Sequence, residues 1–378
     1  MDELGGVSGR ELLAGARRVV VKIGSSSLTD DAGALDPTAV TAVADALAAC
    51  RTAGTQVVLV SSGAIAAGIT PLGLASRPRD LATQQAAAGV GQGLLVAHYT
   101  RAFAAHGLTV AQVLLTAEDV IRRGQYKNAQ RALERLLALG TVPVINENDA
   151  VATDEIRFGD NDRLAALVAH VVQADALVLL TDVDGLYDGH PSLPTSRRLS
   201  RVSSAADLEG VVVTGRGSGV GTGGMTTKVD AAVTATGAGI PTLVAGAADV
   251  SRALTGEDVG TWFDATHPRP RTRRLWLAHA AATRGRLVLD DGAVRAITDG
   301  KRSLLAAGVV GVEGAFEAGD PVELASAAGV VVARGLVAYS SEELPERFGL
   351  TSAQLREEFD GRDRAVVHRD DLVVVARR

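Results

Sequence analysis

Cysteine, aromatic residues and long apolar runs are scarce in this chain of 378 residues. The one cysteine, Cys50, excludes an internal disulfide, and its Ala-rich surroundings predict a packed thiol rather than a nucleophile. Aromatic residues make up 3% of the sequence, which leaves few rings for a surface that stacks bases. No apolar stretch reaches the ~18 residues of a membrane span, and residues 1–6 lack the basic start of an export signal. We therefore expect a cytoplasmic protein with no membrane contact.

A basic surface and clustered metal ligands are also missing. The net charge of -6 arises entirely in residues 1–270, because residues 271–378 contain 16 basic and 16 acidic side chains. Neither part is basic enough to indicate nucleic-acid binding from charge alone. The seven histidines are scattered without a paired ligand spacing, so a zinc site is not expected.

Alternating strand-like and helix-like segments predict the fold class of residues 17–265. Near-continuous apolar runs, typical of strands covered on both faces, occupy residues 17–23, 55–60, 109–114, 141–145, 176–180 and 240–245. Ala- and Leu-rich helical stretches lie between them at residues 37–53, 79–106, 125–139, 161–173 and 225–237. This order predicts an α/β domain with an open, mostly parallel sheet in a three-layer sandwich. Ligands are then expected at the carboxyl ends of the strands.

A change of composition predicts a second domain after this one. Residues 266–274 contain two prolines and four arginines, which favours a linker. Residues 275–378 contain short strands separated by glycine and predict a small β-rich pseudo-barrel with a C-terminal tail. Those strands are expected at residues 285–289, 308–312, 321–324, 330–333, 335–339 and 372–376. Residues 1–16 form an N-terminal extension before the first domain.

Two clusters of carboxylates and carboxamides follow the strand predicted at residues 141–145. They are Asn146 to Asp149 and Asp160 to Asp162. Polar side chains this close to a buried strand lose hydration, and a bound ligand would restore their hydrogen bonds. Asn and Asp capping the turns of a hairpin is the alternative for either cluster alone. Because two clusters occur together, we expect a polar ligand here.

Small-residue turns follow the first two predicted strands. Lys22 precedes a Gly-Ser-Ser-Ser turn, residues 24–27, whose open backbone N–H groups suit phosphate oxygens. The second strand runs into residues 61–68, a small-residue turn at a helix start. Such a turn can hold an anion at the helix N-terminus, or it can simply permit close helix packing.

Residues 215–228 form a glycine-rich loop that ends in Lys228. The loop contains G-x-G-x-x-G at Gly219, Gly221 and Gly224, so a dinucleotide-binding fold is one alternative. That alternative explains neither Lys228 nor the acidic clusters, whereas a phosphate-binding loop closed by a lysine accounts for both the glycines and the charge of Lys228. With Lys22 from a distant segment, the loop predicts a phosphoryl-transfer site in which Asp162 holds the two lysines in place.

Six motifs resemble the amino acid kinase family throughout residues 17–265. They are Lys22 to Ser26, Ser61 to Gly68, Val144 to Ala152, Gly159 to Asp162, Leu180 to Tyr187 and Gly221 to Lys228. The match is to the members that phosphorylate the γ-carboxylate of L-glutamate with ATP, giving L-glutamyl 5-phosphate in the first step of proline synthesis. The C-terminal part resembles a PUA domain. The resemblance therefore implies an amino acid kinase fold followed by a PUA-like pseudo-barrel.

The resemblance also implies a role for each motif residue. Lys22, Lys228 and Asp162 would be catalytic, with the lysines on the transferring phosphate and Asp162 organising them. Glutamate would be bound by Ser62, Asp149 and Asn161. The ATP site would be lined by Lys22, Thr181, Asp182, Thr222, Gly223, Gly224, Met225, Thr226, Thr227 and Lys228. Mg²⁺ would arrive with ATP and is not expected to bind protein directly. The γ-carboxylate is ionised at neutral pH, so no general base is needed.

Partners and alternatives follow from the same resemblance. It implies feedback inhibition by proline, transfer of product to glutamyl-phosphate reductase, and a homo-oligomer, either a dimer or a tetramer. Another family member acting on aspartate, acetylglutamate or uridylate is one alternative, which the acidic clusters disfavour. RNA binding by the PUA-like part is another, disfavoured by its neutral charge. Three departures from the family pattern are Ser25 to Ser27, Thr226, and residues 187–194 at the edge of the nucleotide site. Glu147 receives no role.

Overall fold

The computed structural model describes residues 9–30, 33–116, 119–120, 123–151, 161–191, 193, 195–208, 211, 224–265, 283–300, 302–359 and 364–374. The chain divides into two compact units, one with residues 1–120 and 124–269 and the other with residues 121–123 and 270–378. The predicted linker, residues 266–274, lies outside the described residues, and the predicted domain boundaries stay predictions.

The first unit is built on a sheet of eight strands. They are β1 (Arg18–Ile23), β2 (Gln56–Ser61), β3 (Val110–Leu115), β4 (Val142–Glu147), β5 (Ala176–Thr181), β6 (Arg201–Val202), β7 (Thr242–Gly246) and β8 (Thr261–Phe263). Their order is β3-β4-β2-β1-β5-β7-β8-β6. All neighbours from β3 to β7 pair in parallel, and only the β7 to β8 pairing is antiparallel. The prediction of a mostly parallel sheet is confirmed. The sequence did not predict β6 and β8, because two or three residues are too few to show a pattern.

Eight α-helices lie among the described residues of this unit. They are α1 (Glu11–Ala14), α2 (Pro37–Thr52), α3 (Ala64–Ile69), α4 (Leu81–Ala104), α5 (Arg123–Ala138), α6 (Asn161–Val171), α7 (Met225–Gly237) and α8 (Val250–Leu254). Asp36 and Asp80 cap α2 and α4, each accepting a hydrogen bond from a first-turn backbone N–H. The five helices predicted from the sequence are all present.

Burial of the central strands explains their near-continuous apolarity. Every residue of β5 is buried, and so is every residue of β1 after Arg18. Both strands have neighbours on each side, and each fully buried Val, Leu or Ile contributes about 1.5–3 kcal/mol relative to an exposed one. Lys22 is the one charged residue among them, at 4% exposed. A lysine in that position requires a counter-charge.

Two glycines bring α3 and α4 into backbone contact. A Cβ added at Gly91 would lie 1.8 Å from the carbonyl oxygen of Ala64, and one added at Gly68 would lie 2.0 Å from that of Ala87. Real Cβ atoms do not approach backbone this closely, so only glycine fits at either position. Close helix packing after Ser61, which the sequence left open beside anion binding, is therefore present.

The second unit contains a separate sheet of five strands. They are β9 (Gly285–Leu289), β10 (Val309–Gly314), β11 (Pro321–Ser326), β12 (Val331–Val337) and β13 (Val367–Val374), in the order β10-β9-β11-β12-β13. Helices α9 (Asp291–Thr298) and α10 (Ser352–Glu358) accompany them. Two strands expected at residues 330–333 and 335–339 form the single strand β12. Arg334 interrupts their apolar run without ending the strand, because its guanidinium pairs with Glu323 across the sheet at 3.5 Å. The β-rich prediction for this unit is confirmed.

Within the described part of the chain, no helix is long and apolar enough to cross a membrane.

Candidate functional site

A buried lysine–aspartate cluster, formed by Lys22, Asp162 and Lys228, lies at the carboxyl end of the central strand β1. Asp162 is fully buried in the first turn of α6. Its Oδ1 lies 2.5 Å from Lys22 Nζ, and its Oδ2 lies 3.3 Å from Lys228 Nζ. Thr227 Oγ1 donates a hydrogen bond of 2.9 Å to the same Oδ2. One carboxylate thus holds two ammonium groups, which leaves one positive charge for an anionic ligand.

The protonation state of Asp162 follows from these contacts. Burial alone raises the pKa of its carboxyl, but Lys22 and Lys228 together outweigh burial and bring the pKa down to about 2. The carboxylate is therefore charged at neutral pH and can fix both lysines.

The N-terminus of α7 lies beside this cluster, since Thr227 and Lys228 belong to its first turns. Gly224 is the N-cap and supplies no side-chain cap. Backbone N–H groups at a helix start without a side-chain cap suit an anion, and the helix dipole adds to the attraction. Together, the lysine–aspartate cluster and this helix end have the charge and the hydrogen-bond donors that suit phosphate oxygens.

An amide chain, formed by Gln92, Asn146 and Asn161, lies next to the lysine–aspartate cluster. Asn161 Nδ2 donates to Ser62 Oγ at 2.8 Å and to Asn146 Oδ1 at 3.0 Å. Asn146 Nδ2 in turn donates to Gln92 Oε1 at 2.7 Å. These bonds join the ends of β2 and β4 to the start of α6 and to α4. Because Asn161 precedes Asp162, the amide chain and the charged cluster form one polar site.

Asp149 lies apart from these hydrogen bonds, in a 3-10 turn after β4. Burial raises the pKa of its carboxyl to about 6, and the charge of Arg77 opposes that rise. The acidic cluster predicted from the sequence is therefore split between Asn146 in the amide chain and Asp149 facing Arg77.

The remaining predicted ATP-site residues occupy two places. Thr181 ends β5, the strand beside β1, and its hydroxyl donates to Asp182 at 2.9 Å. Gly224, Met225 and Thr226 lie at the start of α7 with Thr227 and Lys228. Thr222 and Gly223 lie outside the described residues, as do Gly219 and Gly221 of the glycine-rich motif.

Sequence reasoning missed Gln92 and gave Asn146 no separate role. Gln92 is 8% exposed on α4, whose other buried residues are Ala, Gly, Leu, Phe and Tyr. One polar side chain on an apolar helix face was the feature that could have identified it. Glu147, also without a predicted role, donates its backbone N–H to Asn146 Oδ1 at 2.9 Å.

Comparison with known proteins gives two domain matches and a set of full-length relatives. The amino acid kinase family model matches residues 17–246, and the PUA domain model matches residues 285–359. A glutamate 5-kinase of Thermobifida fusca is 60% identical over 369 residues, covering 97% of this chain and 95% of the relative. One of Streptomyces coelicolor is 59% identical, covering 97% and 98%. One of Salinispora arenicola is 57% identical, covering 97% and 100%.

Proposed function

We propose that this chain, which belongs to the amino acid kinase family and carries a C-terminal PUA domain, phosphorylates the γ-carboxylate of L-glutamate with ATP. The observation that carries the proposal is the pairing of Asp162 with two buried lysines, beside a set of uncharged hydrogen-bonding groups. The first part suits the phosphates of ATP, and the second suits an amino acid.

The lysine–aspartate cluster would act on the transferring phosphate. A γ-carboxylate oxygen attacks the terminal phosphorus, the bond from that phosphorus to the ADP oxygen breaks, and charge builds on the phosphoryl oxygens. Lys22 and Lys228 neutralise this charge, and Asp162 keeps both ammonium groups in position before the reaction begins. No proton has to be removed from the nucleophile, because its carboxylate is already ionised.

The glutamate end of the site would use Ser62, Asn161 and Asp149. Since Ser62 Oγ accepts from Asn161, its own O–H is directed elsewhere and can donate to a substrate carboxylate. Asn161 Oδ1 and Asp149 are acceptors suited to the α-ammonium group. Thr181, Asp182 and the residues from Thr222 to Lys228 would line the ATP site.

Mg²⁺ carried by ATP is part of this proposal. Within the described residues, no group of three or more His, Cys, Asp or Glu side chains is placed to hold a metal ion. The proposed ligands of Mg²⁺ are mostly phosphate and water oxygens, the common coordination of this ion in kinase sites. When bound, it would neutralise further phosphate charge.

Hydroxylamine trapping tests the proposed reaction, because acyl phosphates convert hydroxylamine into a hydroxamate. With ATP and Mg²⁺, the protein is expected to form hydroxamate from glutamate in preference to aspartate or acetylglutamate. Lys228→Ala should lower the rate at least about 100-fold, the usual cost of losing one group that stabilises transition-state charge. Hydroxamate from aspartate but none from glutamate would show that the proposed specificity is wrong.

Asp149 gives the proposed glutamate site a pH dependence. Its pKa of about 6 means that the carboxylate is charged above that pH and neutral below it. Only the charged form attracts an ammonium group, so kcat/KM for glutamate should fall about tenfold per pH unit below about pH 6. Asp149→Asn is the variant for comparison. Its kcat/KM for glutamate should be lower than that of the wild-type protein and should not change with pH below about pH 6. Identical profiles for both proteins would remove Asp149 from the site.

Other parts of the proposal rest on the resemblance to the family. They are a cytoplasmic role in proline biosynthesis, feedback inhibition by proline, delivery of the acyl phosphate to glutamyl-phosphate reductase, and a dimeric or tetrameric assembly. A division into residues 1–16, 17–265, 266–274 and 275–378, predicted from the change of composition along the sequence, is a further part of the proposal. RNA binding by the PUA domain gains no support from β9 and β12, where Arg286 and Arg334 both pair with Glu323.

A further inference from the structure

One backbone group fixes the orientation of every side chain in the amide chain. The N–H of Glu147 can only donate, so the Asn146 atom that it meets at 2.9 Å must be the oxygen. The other end of the Asn146 amide is then nitrogen, and it requires an acceptor. Gln92 Oε1 is that acceptor, at 2.7 Å.

The orientation of Asn146 in turn fixes the orientations of Asn161 and Ser62, the two side chains proposed to contact the substrate. Asn146 Oδ1 accepts from both Glu147 N and Asn161 Nδ2, which fills its two lone pairs. Asn161 Nδ2 uses its two hydrogens on Asn146 and Ser62. Asn161 is therefore oriented with Oδ1 away from Asn146, and Ser62 is left with its hydroxyl hydrogen to donate.

Two buried atoms, one at each end of the amide chain, take no part in these hydrogen bonds. In the part of the protein that the structure describes, Asn161 Oδ1 and Gln92 Nε2 are shielded from water and have no hydrogen-bond partner. A buried acceptor without a donor is unfavourable, and native proteins retain few of them. For Asn161, an ammonium group bound beside Ser62 would supply the missing donor.

Gln92 reaches Asn146 because of the contact between α3 and α4. The residue before it, Gly91, meets the carbonyl oxygen of Ala64 in α3. One face of α4 thus carries Gln92 and, two turns later, Tyr99, whose hydroxyl lies 2.9 Å from Ser61 Oγ. Both polar groups of this buried face support residues at the carboxyl ends of β2 and β4.

We propose that Gln92 is a positioning residue for glutamate binding, which acts by holding Asn146 so that Asn161 Oδ1 and the Ser62 hydroxyl face the substrate. The inference rests on the proposed function, because it takes glutamate as the ligand of Ser62 and Asn161. Gln92 acts through Asn146, because its acceptor oxygen is used by Asn146 Nδ2. Its effect should therefore appear in glutamate affinity and not in ATP affinity.

The test compares Gln92→Met with Gln92→Glu at about pH 7. Methionine keeps the length of the side chain but removes the acceptor, so KM for glutamate should rise on the order of 10- to 100-fold, as expected when a buried polar group loses its partner. KM for ATP should stay within about twofold, and kcat should change less than KM for glutamate. The Gln92→Glu side chain retains an oxygen for Asn146 Nδ2, so this variant should recover most of the affinity for the substrate glutamate. Adding glutamate should raise the Tm most for the wild-type protein, less for Gln92→Glu and least for Gln92→Met.

Gln130→Met is the matched control. Gln130 is half-buried on a helix, and its amide donates to the carbonyl of Val171 at 3.3 Å, at the far end of α6 from Asn161. We expect this variant to keep the wild-type KM for glutamate.

Two results would overturn the inference. One is a wild-type KM for glutamate in Gln92→Met. The other is an equal loss in Gln92→Met and Gln92→Glu, with KM for glutamate and ATP rising together, which indicates a general packing defect. Failure of the proposed function looks different, because then wild-type protein forms no hydroxamate from glutamate and shows no glutamate-dependent Tm increase.

Discussion

Asp162→Asn is expected to abolish phosphoryl transfer and to destabilise the fold. The substitution keeps the shape of the side chain but leaves Lys22 and Lys228 buried without a counter-charge. Breaking a buried ion pair by removing one partner costs about 3–5 kcal/mol, and here one carboxylate serves two lysines. Losing the group that positions both lysines should lower kcat by about 1000-fold or more. Denaturant unfolding and the hydroxamate assay measure the two effects separately.

The pH dependence of stability gives an independent measure of the same carboxylate. The pKa of Asp162 is about 2 in the folded protein, below the ~3.9 of an unfolded aspartate. Its stabilising contribution is therefore complete above about pH 4 and is lost as the pH falls toward about 2. The wild-type protein should lose its stability advantage over Asp162→Asn across that interval.

Asp264→Asn is the matched control for these measurements. Asp264 pairs with Arg201 at 2.6 Å, but the arginine side chain is 55% exposed. A partly exposed pair of this kind contributes about 0–1 kcal/mol, and asparagine can keep the hydrogen bonds of Asp264 to Ser203 and Trp262, so stability and kcat should change little. If Asp162→Asn behaves like Asp264→Asn, the lysine–aspartate cluster has neither of the proposed roles.

Gly91→Ala is expected to destabilise the protein by about 3 kcal/mol or more, although alanine is ordinarily the better helix residue. The added Cβ would lie 1.8 Å from the carbonyl oxygen of Ala64, and a backbone atom cannot move aside by changing rotamer. Helix α4 would have to shift away from α3, which displaces Gln92 from Asn146. Denaturant unfolding should show the loss, and KM for glutamate should rise in the protein that remains folded.

Gly89→Ala and Gly93→Ala are controls on the same helix. A Cβ at either position meets nothing within 4 Å. Each should stabilise the protein by about 0.5–1 kcal/mol, because alanine loses less backbone entropy than glycine in a helix. Equal effects at positions 89, 91 and 93 would contradict the close contact between α3 and α4.

The sequence predicted the elements whose side chains show one clear period or composition. Helix α7 begins and ends where its Ala- and Thr-rich pattern does, at Met225 and Gly237. Strand β12 was divided in two because Arg334 looks like an interruption, whereas its ion pair lies on the sheet surface. The amino-acid sequence alone does not show which polar residues of a strand face solvent. A strand that contains one such residue can therefore be predicted as two strands.

The sequence predicted the part of the candidate site in which buried lysines require a carboxylate as counter-charge. Lys22 and Lys228 required a carboxylate, and Asp162 is the one that the fold supplies; their catalytic roles stay predictions. Gln92 could have been noticed as one polar side chain on an apolar helix face, but its role could not be assigned, because that role depends on its contact with Asn146. That information exists only once α4 is placed against α3.

The sheet order separates the proposed site into two halves along β1. Ser62 and Asn146 come from β2 and β4 on one side of this strand, whereas Thr181 comes from β5 on the other side. Under the proposed function, the residues from β2 and β4 that serve the phosphate acceptor therefore lie across β1 from Thr181, which lines the donor site, whereas Asn161 and Asp162 bring the two halves together at the start of α6. We therefore expect substitutions in the β2–β4 half to change the affinity for the phosphate acceptor more than the affinity for ATP.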